Sequence, residues 1–256
     1  MKIELDRKKA AAAFDDYVKQ YDLTDEKIKL KYEHTYRVCD LCEQIAEGIG
    51  LSREETDVAW LSGLLHDVGR FEQLRRFGTF IDAESIDHAL CSCQELFEKG
   101  KIREFILDNT NDELLENIIR CHSAYRLPES FDKQTRMFAN ILRDADKIDI
   151  LKVNTIVPKE EIYNVTTEEL TNAAISEEVL NSFYEEHAVL RNLKKTAADH
   201  VVGQISLIYE LVYPISMEIM KKQGFLEKLM NFESKNQETA REFEGIRNHM
   251  TEYLNR

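Results

Sequence analysis

The sequence predicts an all-α protein, and three observations carry that expectation. Apolar residues recur at spacings of three and four nearly throughout, and no stretch alternates apolar and polar residues long enough for a sheet. Turn-formers are scarce, with 9 glycines and 3 prolines in 256 residues. The helices expected on this basis span about 3–20, 25–48, 53–67, 83–98, 111–123, 131–153, 176–185, 196–222 and 235–254. No repeat or low-complexity linker divides the chain, so residues 1–256 read as a single α-helical domain.

Each element has its own justification. The first helix and the short one at 176–185 rest on periodicity. The second carries His34, Val38, Cys42 and Ile45 along one stripe. Ser52 and Glu55 form a capping box that opens the third, which runs through Leu61, Leu64 and Leu65 and is expected to close at Gly69. Ile86, Leu90, Cys93 and Phe97 mark the fourth. Asn111 or Asp112 caps the fifth, whose stripe is Leu115, Ile118, Ile119 and His122. The sixth places Ala139, Leu142 and Asp146 on one face. After "VPKEE", residues 158–175 read as a loop with short helical pieces. The apolar run "VVGQISLIYELVYPISMEIM" contains Gln204, Glu210, Pro214 and Glu218, which suits a buried helix kinked at Pro214 rather than a membrane span. In the last helix Phe243, Ile246, Met250 and Leu254 form a stripe that docks on the rest of the chain.

Charge narrows the functional classes. The formal net charge of -14 opposes binding to a nucleic acid polymer, which requires a basic surface to replace counterions. A small phosphorylated substrate remains compatible, because a few arginines can gather inside an acidic surface. The N-terminal segment lacks the apolar run of a signal peptide, and 5 cysteines in a chain of this length suit reduced thiols, so a cytoplasmic location is expected. Cys39 and Cys42 lie within a helical pattern and read as small buried hydrophobes.

Several polar residues stand where the pattern asks for apolar ones. His34, His122 and Asp146 continue apolar stripes, and an unpaired carboxylate in such a setting costs several kcal/mol. His66 and Asp67 end the apolar run of the third helix, with small Ser62 and Gly63 one turn earlier leaving room for another helix. His34, His66, Asp67 and Asp146 thus offer two imidazoles and two carboxylates from three helices, a donor set suited to Mn, Fe, Co, Ni or Zn.

The segments "YEHTYRV", "LLHDVGR" and "LRDADKIDIL", in that order within a helical chain, resemble the signature of the HD-domain superfamily of metal-dependent phosphohydrolases. The resemblance spans about residues 25–155 and implies an HD-domain helical bundle as the core there, with a C-terminal helical extension over about 156–256. It implies that His34, His66, Asp67 and Asp146 bind a metal. His88 in "SIDHAL" and His122 in "IIRCHSAYRLPES" are similar to histidines that hold a second ion in two-metal members, with Asp67 bridging. The chain departs from the subgroup that cleaves cyclic di-GMP, reading His122, Ser123, Ala124 and then Arg126-Leu127-Pro128 where that subgroup has His-His-Glu and Gly-Tyr-Pro. It also lacks the acidic pair that follows His-Asp in alarmone hydrolases.

The implied activity is metal-dependent hydrolysis of a phosphate ester of a small molecule, a nucleotide or related compound. Asp67 is its central catalytic residue, and two divalent transition-metal ions activate the attacking water. Arg70 stands where the family often places a phosphate-binding cation. Arg75 and Arg76 read either as further phosphate contacts or as a solvated pair, and Lys147 either as a phosphate contact or as charge balance for Asp144 or Asp149. The alternative is a metal-binding module of the same fold that senses a nucleotide without efficient turnover.

Overall fold

The computed structural model describes residues 3–159, 162 and 165–256. It is all-α, with no β-strand among the described residues. Two compact units are formed by Met1–Asp146 and Lys147–Arg256, and the boundary falls inside one continuous helix, Lys133–Ile156.

The first unit contains α1 (Arg7–Val18), α2 (Glu26–Gly48), α3 (Arg53–Leu65), α4 (Val68–Phe77), α5 (His88–Cys93), α6 (Ile102–Phe105), α7 (Asp112–Cys121) and the start of α8 (Lys133–Ile156). Asp6, Asp25 and Ser52 cap the first three helices, and the Ser52–Glu55 capping box is present as expected. The α2–α3 packing is extensive, and Gly63 is the reason the two backbones come close. A Cβ there would stand 3.0 Å from Cys39 Cα and 3.3 Å from Cys42 Sγ. Both thiols are fully buried, and burial pushes their pKa values up, as small hydrophobes require. Phe14, Tyr17, Phe71, Leu61, Leu64 and Leu115 fill the core of this unit.

The segment after His66-Asp67 corrects the sequence expectation. Gly69 does not close α3; α3 ends at Leu65, and α4 begins at Val68. The left-handed glycine that ends a helix here is Gly78, with φ of 70°. Gly69 serves a different need, because a Cβ on it would lie 2.3 Å from Ser92 N and 2.7 Å from His88 O. It lets α5 approach α4. A pattern of caps cannot distinguish a glycine required by φ from one required by a neighbour.

The helix expected over 83–98 is also shorter. A 3₁₀ turn at Asp82–Glu84 precedes α5, which starts at His88 behind the N-cap Asp87 and runs into a π turn at Gln94–Glu98. Gln73 Nε2 donates to Ser85 Oγ and Ile86 O at 2.8 and 2.9 Å, satisfying that loop from a distant side chain.

In the second unit, α9 (Thr167–Asn172), α10 (Glu177–Tyr184), α11 (Ala197–Ile205), α12 (Pro214–Gln223), α13 (Phe225–Met230) and α14 (Gln237–Leu254) follow. The single helix expected over 196–222 is divided. A 3₁₀ turn at Ser206–Glu210 and extended backbone at Leu211 separate α11 from α12, and Pro214 is the first residue of α12 rather than a kink. Proline is favourable there, since the first helical N–H has no intrahelical acceptor. Phe243, Ile246 and Met250 are fully buried, so the stripe of α14 packs within the chain. Part of the loop expected at 158–175 lies outside the described residues.

Candidate metal centre

Four helix ends and two helix faces of the first unit meet at Asp67. His66 and Asp67 are the two-residue joint between α3 and α4. Ser92 of α5 fastens this joint, donating to His66 O at 2.7 Å and accepting from Gly69 N at 2.9 Å. The Tyr17 hydroxyl donates to Val68 O at 3.2 Å from the other side. His88 opens α5, and His122 follows Cys121 at the end of α7. Arg143 donates to the carbonyls of Cys121, His122 and Ala124, which secures that helix end. His34 comes from the middle of α2 and Asp146 from α8.

The structure brings all six proposed ligands together. Asp67 is buried and presents one oxygen to each of two histidine pairs. Oδ2 is 3.6 Å from His34 Nε2 and 3.5 Å from His66 Nε2. Oδ1 is 3.8 Å from His88 Nε2 and 3.7 Å from His122 Nε2. Asp146 Oδ1 lies 3.2 Å from His34 Nε2 and 3.9 Å from His66 Nε2. Atoms bound to one ion at about 2.0–2.2 Å stand no more than roughly 4.4 Å apart, and every one of these separations satisfies that limit.

The tautomers sharpen the fit. His66 and His122 donate Nδ1–H to Gly63 O and Ile119 O, each at 2.7 Å, since a carbonyl can only accept. His88 Nδ1 lies 2.7 Å from Asp82 Oδ2, the carboxylate–histidine arrangement that orients metal ligands. Burial, followed by the Arg70 charge, lowers His88 to about 4. Burial, followed by His66, lowers His122 to about 4. Near neutral pH both Nε2 atoms therefore carry lone pairs, and they face each other at 3.0 Å. Lone pairs at that distance repel unless a cation lies between them. Asp67 Oδ1 is buried and accepts no hydrogen bond, which points to the same cation.

Without that cation the centre carries a pH liability. An imidazole with a depressed folded pKa takes its proton more readily in the unfolded chain, so stability is complete above the ordinary value of 6.5 and is lost as pH falls towards 4. Chelator-treated protein is therefore expected to lose stability as pH falls through that window. Urea denaturation at pH 7 and pH 5 checks this; equal midpoints would contradict it.

Burial alone would push the Asp67 carboxyl up, but Lys31, then His66, Arg70 and His88, outweigh it and hold it well below the usual range. Lys31 Nζ donates to Asp67 Oδ2 at 2.7 Å. The sequence reading missed this lysine, although it lies one turn before His34 and so on the same helical face. It also missed Asp82, which opens the 3₁₀ turn before α5, where helical periodicity carries no signal.

The proposed substrate cations divide. Arg70 reaches the centre, with Nε 3.6 Å from Asp67 Oδ1 and without a hydrogen bond of its own. Its Nη1 donates to Phe80 O, Gln73 Oε1 and Asp82 Oδ1 at 2.7, 2.8 and 2.9 Å. Arg75 and Arg76 are exposed and are not brought to the histidines. Arg75 pairs with Glu72 at 2.6 Å and lies over Tyr21, whereas Arg76 lies over Phe77. Lys147 is buried and follows Asp146 on α8, a quarter-turn or so away.

Residues 32–152, which contain all six clustered side chains, match the HD-domain family profile. The chain carries an HD domain. HD domains are typically metal-dependent phosphohydrolases and bind divalent metals. A 49-residue stretch of this HD-domain chain is 33% identical to the 3'3'-cGAMP-specific phosphodiesterase 1 of Vibrio cholerae serotype O1. That stretch is 19% of the chain and spans 11% of the relative's length. No solved structure matches the chain. No helix among the described residues is long and apolar enough to cross a membrane.

Proposed function

We propose that this HD domain hydrolyses a phosphate ester of a small molecule, a nucleotide or related compound, with two divalent transition-metal ions. His34, His66, Asp67 and Asp146 would hold one ion, and Asp67, His88 and His122 the other. The observation that carries this reading is the pair of Nε2 atoms 3.0 Å apart beside an Asp67 Oδ1 that is buried and accepts no hydrogen bond. When bound, divalent ions neutralise phosphate charge and make a water nucleophile available near neutral pH.

The chain's own residues do the rest. Asp67 supplies an oxygen to each side of the centre, Gly63 and Ile119 carbonyls keep His66 and His122 in one tautomer, and Asp82 does the same for His88. Arg70 Nε is the donor in this centre without a hydrogen bond, 3.6 Å from Asp67 Oδ1, and we assign it to a phosphate oxygen. The relative's cyclic dinucleotide belongs to the substrate class proposed, and the Arg126-Leu127-Pro128 departure makes linear nucleotides and phosphomonoesters equal members of a test panel.

The test is turnover of nucleotides, cyclic dinucleotides and phosphosugars with Mn, Fe, Co, Ni or Zn, against chelated protein. Metal-dependent turnover of one class is expected. Binding of a nucleotide with no turnover under any metal would replace the enzyme by a sensor. On the best substrate, Arg70→Ala is expected to lower kcat/KM at least about tenfold, roughly 1.4 kcal/mol of transition-state stabilisation. Arg70→Lys is expected to recover part of it. An unchanged kcat/KM in Arg70→Ala would remove the phosphate assignment.

A further inference from the structure

Asp67 Oδ2, the oxygen turned towards His34 and His66, already holds a cation, the Lys31 ammonium at 2.7 Å. The other cation beside Asp67, Arg70, is held in place by Gln73, Phe80 O and Asp82. Lys31 is anchored differently. Among the described residues Asp67 is its hydrogen-bond partner, and its four-carbon stem leaves 18% of the side chain exposed. An ion bonded to Oδ2 at about 2.1 Å would lie within roughly 4.8 Å of an ammonium that stays 2.7 Å from the same oxygen. Two cations that close, in a buried setting, repel strongly.

We propose that Lys31 is a displaceable counter-ion of Asp67: it balances the buried carboxylate before metal enters, opposes metal binding at the His34–His66 side, and on displacement turns to the phosphate of the bound substrate. This rests on the metal reading above. The Phe80 ring lies 5.8 Å from both Lys31 Nζ and Arg70 Cζ, so the ammonium on Asp67 is already close to the arginine assigned to phosphate. A lysine that only stabilised the fold would have the opposite effect on metal, because its loss would loosen the ligands.

The test uses the full chain and two probes, Mn(II) alone and then inorganic phosphate added to Mn-loaded protein, both by titration calorimetry. Lys31→Gln keeps a hydrogen-bond donor for Asp67 while removing the charge, so folding is retained; thermal denaturation verifies it. Lys31→Gln is expected to bind Mn(II) at least about tenfold more tightly than wild type, and its Mn-loaded form to bind phosphate at least about fivefold more weakly. Lys31→Arg, which keeps the charge, is expected to stay near wild type for Mn(II). Unchanged or weaker Mn(II) binding by Lys31→Gln overturns the counter-ion, and unchanged phosphate binding overturns its second location. A wild-type chain that takes up no Mn(II) overturns the metal reading, and this inference with it.

Discussion

Asp67→Asn is expected to leave a folded protein that holds neither ion and turns over substrate at least about a thousandfold more slowly, roughly 4 kcal/mol of transition-state stabilisation. The magnitude follows from the position of the carboxylate. One oxygen faces His34 and His66 and the other faces His88 and His122, so a single substitution removes a charged donor from both sides. Asparagine keeps the shape and can still accept from Lys31, which separates this effect from unfolding. Asp67→Ala is the harsher variant. It leaves Lys31 and Arg70 beside each other without the carboxylate between them, at a cost of about 3 kcal/mol, less whatever Lys31 regains by turning to water. Elemental analysis and urea denaturation on the same samples decide the matter. Wild-type metal content in Asp67→Asn would mean that the six clustered side chains are not the metal site.

Among the described glycines at which an added Cβ meets a neighbour, Gly69→Ala is expected to be the most damaging. Gly69 is the second residue of α4, where alanine gains at most the roughly 1 kcal/mol over glycine of a helix interior, so propensity alone predicts stabilisation. The space forbids it: the new Cβ would lie 2.3 Å from Ser92 N, 2.7 Å from Cys91 C and 2.7 Å from His88 O. All three are backbone atoms, so α5 must move as a body. The overlap costs about 3 kcal/mol or more and outweighs propensity. A net loss near 2 kcal/mol lowers Tm by about 4–8 °C at this chain length. His88 is the first residue of α5, so the same displacement carries its Nε2 away from His122 and Asp67. Metal stoichiometry should therefore fall towards one ion while the His34–His66 side stays loaded. A variant with wild-type Tm and metal content would show that α4 and α5 do not need this contact.

The helices were legible where a single face is apolar over several turns. α2, α3 and α7 fall within a few residues of their expected bounds, because caps such as Ser52 with Glu55 and periodic stripes act over short range. Legibility failed where backbone groups find partners outside their own helix. Gln73 satisfies the loop before α5, and that loop replaces a helical turn that periodicity alone would have drawn. Pro214 shows the same limit. A proline kinks a helix or begins one according to whether the preceding residues stay helical, and Leu211 is extended.

The candidate ligands were legible for a thermodynamic reason. Polar groups at His34, His122 and Asp146 interrupt apolar stripes, and a buried polar group without a partner is too costly to be accidental. The sequence by itself therefore determined the all-α class, the helical pattern around the centre and which side chains stand out in it. Only the tertiary structure decided that Asp67 divides its two oxygens between two histidine pairs, that Asp82 rather than solvent meets His88, and that Lys31 and Arg70 balance the charge while Arg75 and Arg76 face water. Those facts are separations between atoms on different helices. They depend on how closely the backbones approach, and glycines at 63 and 69 set that approach through contacts with residues remote in sequence.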